Sequence, residues 1–274
     1  MNIGIVGQGF VGNAVYQKFS KYFDVKTYDV KKSKGNSNLK ELLIHSKIIF
    51  LCLPTPMNAD GSCNTSIVEK LLEKINKSKE NIIVVIKSTV PPGTTENYNK
   101  HFKNISIVFN PEFLTERNAV NDYENQNRII IGGPRPSTTI LKQLFSVVFP
   151  ASHVIKTGST HAEFIKYFTN CFLATKVSFS NEMYELAKKF NLDYDKVVEY
   201  AILDNRLGKT HFNVPGPDGD KGFGGHCFPK DLNAIINLTD KNSTTNNVLK
   251  SVIKTNDQVR TNRDWENMKG RAIT

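Results

Sequence analysis

The sequence is poor in cysteine. Cys52, Cys63, Cys171 and Cys227 are the four thiols in 274 residues. They are too few and too scattered to staple a fold, and no two stand at metal-ligand spacing. Each reads as a small buried hydrophobe or as a reactive thiol, and no metal site is expected. Long apolar runs are missing too: none approaches the roughly 20 residues that cross a bilayer. The opening residues, Met1-Asn2-Ile3-Gly4-Ile5-Val6, lack the basic and apolar regions of a secretory signal. A cytoplasmic protein with no membrane partner is the expectation. Basic stripes are absent although the formal net charge is +10; Lys31-Lys32 and Lys188-Lys189 are only pairs. Most of that charge reads as solvated surface, and a nucleic-acid partner is not expected. Repeats and low-complexity tracts are also absent. The chain is long enough to bury a core without disulfides or metal.

Short apolar strands alternate with helical segments through the first half. Strands are expected at 3–6, 25–28, 47–53, 81–86, 105–109 and 128–131, with helices at 11–19, 39–45 and 65–77. This order implies βαβ units and a Rossmann-like, doubly wound parallel sheet in an α/β protein. The character changes near residue 158. From 160 to 190 there is no proline or glycine, and apolar residues recur at helical spacing. At about 1.5 Å per residue this one long helix exceeds 40 Å, more than a small domain needs. It includes Phe164, Phe168, Phe172 and Phe179, is apolar on more than one face, and should be covered on more than one side. Helices are also expected at 197–203, 232–238 and 248–260. Residues 208–225, with six glycines and two prolines, must be a loop. The expected division is a dinucleotide-binding domain over 1–157 and an all-helical domain over 158–274.

Gly7-Gln-Gly9-Phe10-Val11-Gly12 follows the first strand and opens the first helix. In that context G-x-G-x-x-G has a mechanical reading. Gly7 permits the tight turn, Gly9 lets backbone approach a pyrophosphate, and Gly12 lets helix pack against strand. The pyrophosphate would sit on the helix N–H groups. Asp29, at the end of the second strand, is placed to accept hydrogen bonds from ribose hydroxyls and would repel a 2′-phosphate. NAD is therefore favoured over NADP. Lys31, Lys32 and Lys34 work against that preference, and Lys34 is a candidate cofactor contact together with Phe10 and Val11.

The second constellation is Gly222-Phe-Gly-Gly-His-Cys227-Phe-Pro-Lys230-Asp231. A thiol between a glycine loop and a helix start, close to a lysine, makes a good nucleophile. An inert cysteine beside a flexible loop is the plainer reading. Combined with a nicotinamide site, the thiol suggests a four-electron oxidation. An alcohol gives up hydride to form an aldehyde, the thiolate traps it as a thiohemiacetal, a second hydride transfer gives a thioester, and water releases an acid.

Six motifs in order carry a family likeness. They are the glycine turn, Leu53-Pro-Thr-Pro56 with Asp60-Gly-Ser62, Lys87-Ser-Thr-Val-Pro91, Asn110-Pro-Glu-Phe-Leu114, Ala162-Glu-Phe-Ile-Lys-Tyr167 with Asn170, and the Cys227 segment. The chain resembles the UDP-glucose 6-dehydrogenase family, which also contains UDP-N-acetylmannosamine and GDP-mannose dehydrogenases. The resemblance implies oxidation of a nucleotide-sugar hydroxymethyl group with two NAD and one water. It implies Cys227 as nucleophile, and Lys166 and Asn170, one helical turn apart, as the pair that steadies an oxyanion and a water. Asp231 and Thr89 correspond to residues that hold that water. Glu112 corresponds to a group assisting thioester hydrolysis, and Glu116, again four residues on, lies near cofactor and substrate. Thr55, Thr89, Glu116 and Lys230 match cofactor contacts. Glu112, Phe113, Leu114, Arg206, His211, Phe212, Asn213 and Gly224 match nucleotide-sugar contacts. Read singly, Lys166 could be a solvated helix lysine, and Glu112 and Glu116 an exposed face.

The family usually carries a third, dinucleotide-like domain that contributes to the UDP pocket, so a short form is the expectation here. The loop 213–222 is longer than the usual link into the cysteine motif; this loop, or a partner subunit, is expected to replace part of that wall. A homodimer through the 160–190 helix is expected. The leading reading is conversion of UDP-glucose to UDP-glucuronate. The same chemistry on UDP-N-acetylmannosamine or GDP-mannose is the nearest rival, and a non-catalytic NAD- or nucleotide-sugar-binding protein is the rival from another class.

Overall fold

The computed structural model describes residues 1–78 and 81–274. The chain forms two compact units. The first comprises Met1–Thr55 and Thr65–Lys166, and the second Pro56–Asn64 and Tyr167–Thr274. Compared with a single cut near 157, the first unit runs further along the long helix, and residues 56–64 leave it for the second.

The first unit is built on a seven-stranded sheet in the order β2-β1-β3-β4-β5-β6-β7. Its strands are β1 (Asn2–Val6), β2 (Asp24–Tyr28), β3 (Ile48–Leu51), β4 (Ile82–Ile86), β5 (Ile105–Phe109), β6 (Arg128–Gly132) and β7 (His153–Thr157). The central strands β3 and β4 read Ile-Ile-Phe-Leu and Ile-Ile-Val-Val-Ile and are buried throughout, as strands covered on both faces require. Alternation sends their side chains into two cores. Phe50 and Val85 enter one with Phe19, Phe145 and Phe149. Ile49, Leu51 and Val84 enter the other with Leu42, Leu72 and Ile107. The helices α1 (Phe10–Phe19), α2 (Leu39–His45), α3 (Ser66–Ser78), α4 (Thr94–His101), α5 (Ala119–Glu124) and α6 (Ser137–Val148) supply the covering layers.

The sheet departs from an all-parallel expectation at one place. β6 runs antiparallel to β5 and touches it through the single pair Phe109–Gly132, whereas all other neighbours are parallel. β7 and the helices α4, α5 and α6 do not stand out in the sequence. The β7 segment His-Val-Ile-Lys-Thr buries only Val154, so it lacks an apolar run. α4 is Thr-Thr-Glu-Asn-Tyr-Asn-Lys-His, almost wholly polar. It is fixed instead by a distant carboxylate. Glu163 accepts hydrogen bonds from the Gly93 and Thr95 N–H groups at 2.6 and 2.8 Å, which caps the helix start.

The long helix α7 spans Ser159–Lys189, within one residue of expectation at each end. From Tyr167 onward it belongs to the second unit, with α8 (Tyr194–Ala201), α9 (Phe228–Lys241) and α10 (Asn247–Val259). The core of this unit joins Cys171 and Ala174 of α7, Phe223, Leu232 of α9 and Val252 of α10. α9 begins four residues before the expected start, because Pro229 is favoured in a first helical turn. No helix among the described residues is long and apolar enough to cross a membrane.

Candidate active site

In the first unit the strand order reverses between β1 and β3, the place where open α/β sheets bind ligands beyond their carboxyl ends. The glycine turn leaves β1 there. Gly7 has φ of +90°, which a side chain would strain, and its N–H donates to the Tyr28 carbonyl at 2.8 Å. A Cβ at Gly12 would lie 1.8 Å from the Gly7 oxygen, so helix and turn are in backbone contact. A Cβ at Gly9 would meet nothing within 4 Å. Gly9 also precedes α1 without a capping side chain. The turn thus leaves an open approach to the positive end of α1, the geometry a pyrophosphate needs.

The Asp29 carboxylate closes the turn. Its Oδ2 accepts from the Gln8 N–H at 2.7 Å and its Oδ1 from the Lys31 N–H at 2.8 Å. Each oxygen keeps a further acceptor site for a ribose hydroxyl. Cradle and carboxylate together fit NAD. Lys34 is exposed on a short 3-10 turn, which returns the chain at Gly35 against the Asp29 backbone. Phe10 and Val11 lie on the first turn of α1. Phe10 also lines, with Asn13 and Glu116, an open cavity of about 400 Å³.

Thr55 and Thr89 are both buried, and the Thr55 hydroxyl donates to the Thr89 carbonyl at 2.8 Å. Lys166 is not a solvated helix lysine. It is 3% exposed, with its Nζ 3.2 Å from Glu112 Oε1 and donating to the Glu112 carbonyl. The Phe113 ring centroid lies 5.3 Å from the same ammonium, and the Leu114 N–H donates to Glu112 Oε2 at 2.8 Å. Glu112 and Glu116 do not share a helix face. Glu112 lies in a non-helical segment, and Glu116 in an exposed 3-10 turn at Glu116–Asn118. The Pro111 that follows Asn110 explains the break, since it cannot donate to a helical ladder.

Two buried groups beside this cluster escaped the sequence reading. Lys87, at the end of β4, donates to Asn110 Oδ1 at 2.8 Å, and burial pushes its ammonium down to about 8. Cys52, after β3, is pushed up to about 12 by burial, against the nearby Lys87 charge. A lysine ending an otherwise apolar strand was the available signal.

In the second unit the thiol segment has a compact polar floor. Cys227 is half-buried at the N-cap of α9. One turn on, Asp231 is 1% exposed and accepts from Asn170 Nδ2 at 2.6 Å. Its other oxygen pairs with the buried Lys230 ammonium. Burial alone would lower the Lys230 pKa, but Asp231, with the Cys63 and Cys227 thiols, outweighs it and holds the group above the ordinary lysine range. Lys230 therefore stays charged beside both thiols. The proximity of Cys63 was not foreseen; it arrives with the excursion 56–64, whose Asp60 carbonyl accepts from Asn237 of α9 at 2.9 Å.

The remaining expected residues divide. His211 lies near the α9 start, its ring 5.8 Å from that of Phe228, and its pKa is lowered by burial and by Lys176. Phe212 carries the Lys176 ammonium 4.1 Å from its ring, and its carbonyl accepts from the Tyr194 hydroxyl at 3.0 Å. Asn213 is exposed. Gly224 packs against Arg260 and Asp264. Arg206 is exposed and tied to its own turn through Asp204, with Nε 3.0 Å from both carboxylate oxygens.

A mostly parallel sheet with a glycine turn and a carboxylate at the end of its second strand, followed by a long helix, defines a protein of the dinucleotide-binding class. Residues 25–149 match the NAD binding domain of the UDP-glucose/GDP-mannose dehydrogenase family, and residues 160–258 match its central domain. The chain belongs to that family. It is 34% identical to the UDP-glucose 6-dehydrogenase of Rickettsia bellii (strain RML369-C), over 93% of this chain and 61% of that protein. It is 30% identical to the enzyme of the same name from Rickettsia typhi (strain Wilmington), over 93% of this chain and 67% of that one. Among solved structures, a UDP-glucose dehydrogenase from Pyrobaculum islandicum superposes with a TM-score of 0.85 at 28% identity, over 94% of this chain and 68% of that one. The chain spans between about three fifths and two thirds of the length of these two curated relatives.

Proposed function

We propose that the chain carries the NAD-dependent oxidation of UDP-glucose to UDP-glucuronate, with Cys227 as the nucleophile, in the cytoplasm. The observation that carries this reading is the thiol at the head of α9 with Lys230, Asp231 and Asn170 interlocked beneath it. Bound NAD supplies the hydride acceptor, one molecule for each of the two oxidations. The chain's own residues do the rest. The first oxidation takes a hydride from the hydroxymethyl carbon and a proton from its oxygen, leaving an aldehyde. The Cys227 thiolate adds to the aldehyde carbon, forming the C–S bond of a thiohemiacetal. The Lys230 ammonium favours the thiolate by charge. Removal of the second hydride and the hydroxyl proton gives the thioester. Water then adds, the C–S bond breaks, and carboxylate and free thiol are released.

Asp231, already accepting from Asn170, is the proposed holder of that water, with Thr89. Lys166 and Asn170 are the proposed donors to the oxyanion of the tetrahedral intermediate. Glu112, held by Lys166, is the proposed base for hydrolysis. Gly7, Gly9, Gly12 and Asp29 are the proposed cofactor contacts, with Phe10, Val11, Lys34, Thr55 and Glu116, in a domain over 1–157. Phe113, Leu114, His211, Phe212, Asn213, Gly224 and Arg206 are the proposed nucleotide-sugar contacts.

The choice of UDP-glucose rests on the names of the relatives. The test is NADH release with UDP-glucose, UDP-N-acetylmannosamine and GDP-mannose. Two NADH per UDP-glucose is the expected result. NAD binding with no turnover on any of the three would make the chain a binding protein instead.

Homodimerisation through α7 is part of this reading. Within the second unit Phe168, Phe172, Phe179, Met183, Leu186 and Phe190 are all at least 41% exposed and recur at helical spacing. Such an apolar stripe calls for a partner. Gel filtration at micromolar concentration should give a dimer, and Phe172→Glu should shift it to monomer.

A further inference from the structure

The loop that leads into Cys227 is pinned by a buried cation. Arg260 follows the last turn of α10, and its side chain is 2% exposed. Nη1 lies 2.7 Å from Asp218 Oδ2, Nη2 lies 3.3 Å from Asp264 Oδ1, and Nε lies 3.6 Å from Asp220 Oδ2. Nε also donates to the Asn262 carbonyl at 2.7 Å. One guanidinium thus gathers three carboxylates, two of them from the proline-glycine segment. The Asp220 carboxylate is further engaged by the Asn262 N–H at 2.7 Å. That segment therefore folds inward onto Arg260.

The other end of this network grips the backbone before the thiol. Both oxygens of Asp264 accept from the Gly225 N–H, each at 3.1 Å. A Cβ at Gly224 would lie 2.3 Å from Arg260 Nη2 and 2.3 Å from Asp264 Oδ1. The ion pair therefore presses on the main chain where residue 224 would carry its side chain. Asn256, one turn before Arg260, does the same one step earlier: it accepts from the Phe223 N–H at 2.7 Å and donates to the Phe223 carbonyl at 3.1 Å. Cys227 is two residues beyond Gly225. Burying a guanidinium is costly, and well-packed apolar side chains would fill the space at less cost. What the ion pair adds is direction: a planar fork that aims one carboxylate at one amide.

We propose that Arg260 and Asp264 are positioning residues that fix the Gly224–Gly225 backbone and so set the place of the Cys227 thiol. This rests on the reading of Cys227 as nucleophile. A displacement of about 1 Å at a reacting atom can cost on the order of a hundredfold in rate.

The test uses Asp264→Asn, which keeps shape and removes charge, with Arg260→Lys and Arg260→Met as a graded pair. Three quantities are followed on the full chain: deuterium exchange in the peptide spanning Gly225, the rate of Cys227 alkylation by iodoacetamide across pH, and kcat and KM for the sugar. Asp264→Asn should speed exchange at Gly225, change the alkylation rate at Cys227 about tenfold and shift its pH profile, and lower kcat about tenfold with little change in KM. Arg260→Lys should keep more of the wild-type behaviour than Arg260→Met. Should the Arg260 variants fail to fold, Asp264→Asn decides alone. Wild-type alkylation kinetics and pH profile in folded Asp264→Asn would overturn the proposal. Because alkylation reads the thiol directly, this outcome is separate from full acid production by Cys227→Ser, which would remove only the nucleophile.

Discussion

The two glycine-rich segments do similar work by opposite means. The first, at Gly7–Gly12, is held by main chain against main chain: Gly12 touches the Gly7 carbonyl, and Gly7 touches the Cys52 carbonyl. The second, at Gly222–Gly225, is held by side chains from far along the sequence: Asn181 of α7, Asn256, Arg260 and Asp264. Backbone contact cannot yield, because neither partner has a rotamer to change. Side-chain contact can yield by a few tenths of an ångström, at some cost in aim. One segment is fixed as a shape and the other is tuned as a position.

The sharpest break of this contrast is Gly12→Ala. Its Cβ would sit 1.8 Å from a carbonyl oxygen. No side-chain rearrangement relieves that, so the cost should exceed about 3 kcal/mol. A lost or strongly lowered melting transition, with no measurable NAD binding, is the expected result. Next comes Asp29→Ala. It leaves the buried Gln8 N–H without its acceptor, at a cost of about 2 kcal/mol, and removes the ribose contact. NAD affinity should fall at least tenfold by titration, while Cys227 alkylation in the absence of cofactor stays unchanged. If the alkylation changed too, the two segments would not be independent.

Gly224→Ala is the counterpart of Gly12→Ala. Its Cβ would meet the side-chain ends of Arg260 and Asp264, which can shift by rotation where a backbone carbonyl cannot. A cost of about 1–2 kcal/mol is expected, with the fold retained. The damage should appear as slower chemistry at Cys227 with NAD binding intact. Equal destabilisation by the two alanines would mean that both segments are held equally rigidly.

The same contrast explains what could be read from the sequence. The first segment was legible because its determinants are neighbours: an apolar strand, three glycines in six residues, and Asp29 at the end of the next strand. The thiol and its Lys230-Asp231 were legible for the same reason. Arg260, Asp264 and Asn256 were not, since they meet Gly222–Gly225 across more than 30 residues and no local pattern marks them. Cys63 stayed hidden because residues 56–64 leave the sheet unit. The antiparallel β6 was invisible because strand direction depends on the path of residues 110–127, not on the composition of Arg128–Gly132. The pairing of Arg206 with Asp204, two residues away, was legible in principle from their spacing.

The smallest expected effect compares two buried cations, Lys87 and Arg260. Arg260 faces three carboxylates and cannot discharge. Lys87 leans on a neutral amide, Asn110, and on the Tyr123 ring, with Cys52, Glu112 and the like-charged Lys166 nearby. Burial lowers its ammonium to about 8 in the folded chain, against an ordinary lysine value near 10.5. Below pH 8 Lys87 is charged in both states, and the folded state bears the full burial penalty. Above pH 8 the folded chain releases this proton while the unfolded chain keeps it, so stability rises with pH. Over the same range the Cys52 and Cys171 thiols, both pushed up to about 12 by burial when folded, act in the opposite direction, because the unfolded thiols ionise first. The Lys87 contribution is therefore read as the difference between wild type and Lys87→Met, in which the thiol effect is common to both. Urea unfolding should show this difference moving in favour of the wild type by about 1 kcal/mol between pH 8 and 9. Asp218→Asn, which leaves the Arg260 cation in place, should keep the wild-type pH dependence. A difference between wild type and Lys87→Met that stays constant from pH 8 to 9 would mean that Lys87 stays charged when folded, as Arg260 does.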